Sequence, residues 1–394
     1  MTSLRAKSLR NAALRCGFGL ALATTLLSAP GQTAIGQTLT TLHNFSGSPD
    51  GAYPIDVTLV ADSQENLYGA TENGGNRACF GGVGCGIIFK VTPNGTETVF
   101  HSFSGPDGIS PQGGLTADGQ GNLYGTTLDG GTTDNGTVFR LSPDGTETTL
   151  YSFGLAQDGR EPSGGIVIDH QQNLYGTTVF GGASGNGTVF KLTSAGVETV
   201  LYSFKGGVDG RLPQERLIMD SAGNLYGTTS RGGVRNRGTV FKITPDGSET
   251  VLFSFGHGKN PSSQLIFDGN GNLYGTTTYG GSHHNGVVFR LSPSGKLKVL
   301  HNFAGTPTDG SAPFGLLMDQ VGNMYGSTAV GGASSCGAIY KLTPTGTETL
   351  LYSFPCGSLA SLPSGGLIMD AQGNLYGTTT YGSSGFGSVF KLTP

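Results

Sequence analysis

The chain has 394 residues, of which 70 are glycine and only 12% are charged. An interior Gly costs a helix about 1 kcal/mol relative to Ala, which excludes long helices beyond residue 36. Regular Val, Phe, Leu and Tyr clusters supply the apolar area that disordered chains lack, so disorder is excluded as well.

At the N-terminus, Arg5, Lys7, Arg10 and Arg15 accompany an apolar stretch from Gly17 to Ala29, and Ala34-Ile35-Gly36 is a small-x-small site. The pattern predicts a secretory signal peptide over residues 1–36, cleaved near Gly36. The apolar stretch is too short and too Gly-rich for a good membrane span. No Arg-Arg pair marks a twin-arginine signal, and Cys16 is not placed like a lipoprotein cysteine. No second apolar segment follows. The expected product is a secreted or cell-surface/periplasmic monomer with no membrane span in the mature chain. That chain carries 18 basic against 26 acidic residues, about −8, which disfavours nucleic acid as a partner.

The tetrapeptide Asn-Leu-Tyr-Gly begins at Asn66, Asn122, Asn173, Asn224, Asn272, Asn323 (with Met324 for Leu) and Asn374, at intervals of 56, 51, 51, 48, 51 and 51 residues. A period near 50 means one supersecondary unit repeated, each burying its apolar face against its neighbours. In the fourth unit, Leu217 to Asp220 reads as a strand, and Ser221-Ala222-Gly223 as a turn. Asn224 to Thr229 is the second strand, followed by a Gly-rich loop from Arg231 to Gly238. Thr239 to Ile243 is the third strand, Pro245-Asp246-Gly247 a hairpin turn, and Glu249 to Phe255 the fourth strand. Four antiparallel strands in about 50 residues is a β-propeller blade.

The last unit stops after Ser388 to Leu392, its third strand, whereas the mature chain opens on a lone fourth strand, Leu39 to Phe45. The prediction is an all-β, seven-bladed β-propeller over residues 37–394, closed by the N-terminal strand completing the last blade. Four mature cysteines allow three pairings. Blades one and six are separated by blade seven, farther than the Cα spacing of about 7 Å that a bridge tolerates. The expected bridges are therefore Cys79–Cys85 and Cys336–Cys356. No Cys-x-x-Cys or His cluster has zinc spacing, and no metal or cofactor is expected.

Several residues recur in every unit. Asp62, Asp118, Asp169, Asp220, Asp268, Asp319 and Asp370 precede the first turn and read as Asx-type turn residues. Lys90, Arg140, Lys191, Lys242, Arg290, Lys341 and Lys391 lie on third strands. Glu97, Glu147, Glu198, Glu249 and Glu348 lie on fourth strands, with Leu39 and Leu297 in the other two. Cross-strand or interblade salt bridges account for both sets.

The recurring Gly-Asn-Leu-Tyr-Gly-Thr-Thr, Gly-Thr-Val-Phe-Lys-Leu-Thr-Pro and Thr-Glu-Thr-Val-Leu-Tyr-Ser-Phe blocks resemble the GloVer (Gloeo_Verruco) tandem-repeat family of exported bacterial proteins. The resemblance covers nearly all of residues 38–394. It implies an extracellular or surface location and supplies no catalytic residues. Gly-Asn-Leu-Tyr alone is also similar to NHL-type propellers, as a turn-and-strand signature.

Loops between second and third strands and the links between blades emerge on one face, where binding residues gather on a rigid scaffold. The links hold Asp-Gly-x-x-Pro at Asp50, Asp107, Asp158, Asp209 and Asp309, with His257 and Leu359 replacing Asp in the other two. These residues read either as turn formers or as a broken acidic ring at the channel mouth. Five of the nine mature arginines fall within 27 residues: Arg211, Arg216, Arg231, Arg235 and Arg237. The next blade adds His257, Lys259, His283 and His284. Arg216 lies nearer the strand; the others should share one rim. Guanidinium forks match carboxylate, sulfate and phosphate oxygens. Phe80, Phe180, Tyr279, Tyr381 and Phe386 sit in or beside the Gly-rich loops and suit a sugar.

No Gly-x-Ser-x-Gly elbow and no unique carboxylate pair support catalysis. The expected function is non-catalytic: binding an extracellular ligand, such as an acidic polysaccharide, a surface polymer or a small anion, through Arg211, Arg231, Arg235, Arg237, His257, His283 and His284. The alternatives are a propeller lyase or hydrolase with a channel-mouth site, and a purely structural surface module.

Overall fold

The computed structural model describes residues 37–154, 157–256, 259–261, 263–356 and 360–394; the expected signal peptide lies outside them. Seven antiparallel sheets of four or five strands follow one another along the described chain, with two further two-stranded pairings, Gly51–Ala52 with Asn73–Gly74 and Ala360–Ser361 with Tyr381–Gly382. Blade 4 is representative. Its innermost strand is Ile218–Met219, followed outward by Leu225–Arg231, Thr239–Ile243 and Glu249–Ser254. The seventh sheet is built differently. Ile368–Met369, Leu375–Thr379 and Ser388–Thr393 pair in order, and the outermost place is taken by Thr38–Asn44. Thr38 lies opposite Thr393 and Asn44 opposite Ser388. The ring is therefore closed by the two ends of the described chain, and no blade is left with a missing outer strand.

Each position of the repeated motif has its own physical task. The Asp before the first turn accepts backbone N–H groups two and four residues on; Asp220 takes those of Ala222 and Asn224 at 3.0 and 2.9 Å. The motif Asn adds its amide, with Asn224 Nδ2 donating to Asp220 at 2.7 Å. The motif Tyr donates its hydroxyl to the same carboxylate, Tyr226 at 3.0 Å. The motif Leu is core, with Leu225 2% exposed. These Asp residues are thus turn residues, as their setting predicts. Burial alone would raise them, but the donated hydrogen bonds outweigh it and hold Asp220 below the usual carboxylate range.

The motif Gly is explained by its neighbour in space. A Cβ on Gly227 would lie 2.6 Å from Phe241 Cζ and 2.7 Å from Leu217 Cδ2. The same third-strand ring covers the same Gly at Gly69–Phe89, Gly125–Phe139, Gly176–Phe190, Gly275–Phe289, Gly326–Tyr340 and Gly377–Phe390. Each of these rings also meets the Phe that ends the preceding blade. The pairs are Phe45–Phe89, Phe103–Phe139, Phe153–Phe190, Phe204–Phe241, Phe255–Phe289, Phe303–Tyr340 and Phe354–Phe390, with centroids 5.0 to 5.5 Å apart. One aromatic contact therefore joins every pair of adjacent blades, including the closing pair. Six of the seven are edge-to-face and the closing pair is tilted; edge-to-face geometry adds about 0.5–1.5 kcal/mol per pair beyond burial.

Gly227→Ala is expected to cost about 1–3 kcal/mol by overpacking, and so to lower the melting temperature by several degrees. Gly269→Ala is the control, because its Cβ would meet nothing within 4 Å. Equal thermal melts for the two variants would contradict this account of the motif.

Cys79 and Cys85 are bridged within one loop of blade 1, and Cys336 is bridged to Cys356 in blade 6, the pairs expected from blade order. Among the described residues no helix is long and apolar enough to cross a membrane.

Candidate functional site

The face that gathers the links and the second-to-third-strand loops is built by short pairings between them. In blade 4 the link segment Arg211–Pro213 pairs with the end of the second strand, placing Arg211 opposite Arg231 and Pro213 opposite Thr229. In blade 5, Lys259–Pro261 pairs with the second strand in the same way, with Lys259 opposite Tyr279. The chain before each proline is turned by a left-handed residue, Leu212 in blade 4 and Asn260 in blade 5. Leu212 N donates back to Asn186 O of blade 3, so the link is tied to the blade before it.

Between blades 4 and 5 these loops enclose a pocket of about 550 Å³, lined by Arg231, Arg237, Asn260, Tyr279, His284 and the backbone of Gly256 and Gly280. Three of the residues singled out by sequence, Arg231, Arg237 and His284, therefore converge there. Arg235 lies beside the pocket, its Cδ 3.9 Å from where a Cβ on Gly256 would stand. His283 is exposed and meets Ser282 Oγ at 3.1 Å, and it does not line the pocket. Arg211, the register partner of Arg231, is half-buried and does not line it either. His257 lies outside the described residues.

Sequence reasoning missed Asn260 as a lining residue, because nothing in its link marks it as pointing inward. Tyr279 was legible only as a loop aromatic; in the structure it is 39% exposed and lines the pocket. Of the other loop aromatics, Phe80 is exposed in blade 1, away from this pocket, and three are spent locally. Phe180 lies under Arg160, at 5.4 Å, and Tyr381 and Phe386 pack on Tyr53. Also missed was an acidic counterpart on the same loops of blades 2 and 3. There burial, then Glu161 and Asp134, push Asp129 up to about 6.

The link aspartates have partners of their own. Each is turned toward the outermost strand of the preceding blade. Asp50, Asp107 and Asp309 stand 3.4, 3.0 and 3.1 Å from the Nε2 atoms of His43, His101 and His301. Asp158 and Asp209 accept the hydroxyls of Tyr151 and Tyr202, both at 2.8 Å. The recurring Glu of the next blade faces the same carboxylate. Glu97 meets Asp50, Glu147 meets Asp107, Glu198 meets Asp158, Glu249 meets Asp209, and Glu348 meets Asp309. Among the described residues the expected Lys–Glu salt bridges are not formed. The lysines lie over the motif tyrosines instead, Lys242 at 5.7 Å from the Tyr226 ring centre.

Neighbouring carboxyl groups disfavour each other's ionisation, so one of each pair favours its protonated form. Burial first, and then the neighbouring Asp, push Glu198, Glu249 and Glu348 up to about 7, and raise Glu97 and Glu147 as well. The sequence carries its own control. Blades 5 and 7 have Leu297 and Leu39 in place of Glu, and the links leading to them have His257 and Leu359 in place of Asp. Asp and Glu are present together or absent together, as a pair in one joint would be. His43, Asp50 and Glu97 also present atoms within 4.8 Å of one another, a spacing a divalent cation could use. A tyrosine stands in the place of that His at Tyr151 and Tyr202, so what recurs is the carboxyl pair and not the triad.

The Gloeobacter/Verrucomicrobia repeat matches residues 78–266 and 251–394. No curated protein matches the chain in sequence. The extracellular domain of a hybrid two component system from B. thetaiotaomicron is similar at 16% identity and a TM-score of 0.55, over 91% of this chain and 41% of that one. The extracellular domain of a one component system of B. thetaiotaomicron is similar at 14% identity and a TM-score of 0.60, over 91% and 42%. The chain thus spans about two fifths of each, and at these identities the likeness is one of fold. A gluconolactonase of Xanthomonas campestris aligns at 16% identity over 72% of this chain and 84% of that one, with a TM-score of 0.43, too low to bear on chemistry.

Proposed function

The chain belongs to the Gloeobacter/Verrucomicrobia repeat family, and from that premise we propose that it is an exported, non-catalytic propeller that binds an anionic extracellular ligand at the blade 4–5 rim. The observation that carries this reading is the convergence of Arg231, Arg237 and His284, from two blades, on one pocket with Tyr279 and Asn260. The guanidinium groups supply charge independent of pH and a planar fork for carboxylate or sulfate oxygens. The amide of Asn260 adds hydrogen-bonding capacity, and Tyr279 offers an apolar ring face. The described lining holds no carboxylate, which suits binding of an anion better than acid–base chemistry. An acidic polysaccharide meets all these features, with a repeated negative charge on an otherwise hydroxyl-bearing chain.

The test is calorimetric titration of polygalacturonate, with uncharged dextran as control, into the 37–394 chain. The comparison is a variant carrying Arg231→Ser, Arg235→Ser and Arg237→Ser. Wild type should bind the acidic polymer, more weakly as salt rises. The variant should lose at least about tenfold in affinity, or about 1.4 kcal/mol. Its melting temperature should barely move, since exposed charges away from the core contribute within about 0.5 kcal/mol. Equal affinity for both proteins, or no binding by wild type, would reduce the pocket to a solvated loop.

A further inference from the structure

The residue before the core aliphatic of each innermost strand is Thr58, Gly114, Gly165, Arg216, Gln264, Gly315 or Gly366. Only blade 4 carries a charge there. The innermost strands face the centre of the ring, and Arg216 reaches across it. Its Nη2 donates to Thr116 Oγ1 of blade 2 at 2.7 Å, and that hydroxyl in turn donates to Ile166 O. The Nε atom is shut off from solvent and, among the described residues, has no acceptor. Among the described residues Arg216 enters no ion pair. Burial pulls the guanidinium down only to about 10, so it stays charged at neutral pH. Arg216 as a whole is half-buried, and a partly desolvated charge without a counter-charge gains little from one neutral hydroxyl.

A groove of about 890 Å³ opens beside this group. Its walls include the first turns of blades 3 and 4, so it lies on the face opposite the rim pocket. Arg216, Gln264, His170 and Lys191 contribute polar groups, and Ile218 and Phe267 contribute apolar surface. Asp169 and Asp220 also line it, but their oxygens already accept the hydrogen bonds of their own turns. Their charge disfavours a polyanion. We propose that this groove is a second binding site, taking the carboxylate of a small organic acid or sugar acid onto Arg216, with the body of the ligand against Ile218 and Phe267. The volume is that of an ordinary small-molecule site. The site goes beyond the rim reading, and neither depends on the other.

The experiment titrates D-glucuronate and benzoate, with glucose and benzyl alcohol as uncharged controls, into the wild-type 37–394 chain. The same titration is made with Arg216→Gly, Arg216→Gln and the triple rim variant. Glycine is the residue four other blades already hold at this place. The expected result is saturable binding of at least one acid, a loss of at least about tenfold in both Arg216 variants, and no change in the rim variant. The Arg216 variants should melt no lower than wild type, because they remove an uncompensated charge. Binding that survives in both Arg216 variants, or no binding of either acid by wild type, would overturn the proposal. A melting temperature several degrees lower in both would also overturn it, by making Arg216 a brace onto Thr116.

Discussion

Removal of residues 37–46 is expected to abolish cooperative folding of the 37–394 chain. The segment supplies the outermost strand of blade 7, paired with Ser388–Thr393 over its whole length except for one irregularity between Thr41 and His43. Its loss bares a row of unpaired N–H and C=O groups on a strand that is otherwise interior to the sheet. It also removes Phe45, which is fully buried and stands 5.0 Å from Phe89 across the closing joint. Leu42 and Leu39 leave the two core clusters on either side of the joint. Each such side chain contributes about 1.5–3 kcal/mol by burial, against a total stability of only about 5–15 kcal/mol for a typical domain. Thermal melts followed by circular dichroism should show a broad or absent transition. A synthetic peptide of residues 37–46 added in excess should restore part of it by mass action. Phe45→Ala alone should cost about 3–5 kcal/mol. If the truncated chain melts within a degree or two of the intact one, the ring is closed by something other than this strand.

The second large effect is a fall in stability as the solution is made alkaline. Glu198 and Glu249 stand at about 7 in the folded protein and near 4.5 when unfolded. A folded-state value above the unfolded one means that the fold holds the proton more tightly. The resulting stabilisation is complete below about pH 4.5 and is lost as the pH rises through about 7. Asp50, Asp107 and Asp309 behave in the opposite sense. Burial raises them, but hydrogen bonds led by His43, His101 and His301 hold them below 3.8, and their contribution disappears only in stronger acid. The melting temperature should therefore be highest between about pH 4 and 6 and decline toward about pH 8. The groups facing the two glutamates are Asp158 and Tyr151 for Glu198, and Asp209, Tyr202 and Lys205 for Glu249. A double variant, Glu198→Gln with Glu249→Gln, keeps the shape of the joint and a donor toward each Asp while removing the titration. It should flatten much of the decline. An unchanged slope would mean that these two carboxyl pairs hold no shared proton.

Much of the fold was legible because its determinants are local or repeated. The Asp, Asn and Tyr of each first turn meet one another within six residues, so spacing alone reveals the turn. The missing fourth strand at the C-terminus and the spare one at residues 38–44 are visible as an imbalance in the repeat. The concentration of arginine in blade 4 and histidine in blade 5 was equally visible, and so was the rim that carries them.

What the tertiary structure decided lies in the joints between blades and across the ring. Asp209 lies on the link into blade 4 and Glu249 on that blade's outermost strand, 40 residues on, and spacing alone gives each a nearer partner, a lysine or a turn. The packing of neighbouring blades sets the two carboxyls together instead, and the lysine goes to the tyrosine beside it. The same holds at the rim, where Arg237 and His284 lie 47 positions apart and face one pocket while His283, adjacent in sequence, does not. Arg216 meets Thr116 across 100 residues and two blades. A repeat written in sequence specifies each unit and its local hydrogen bonds. Which side chains face each other between units depends on how one twisted sheet lies against the next, and only the closed ring sets that.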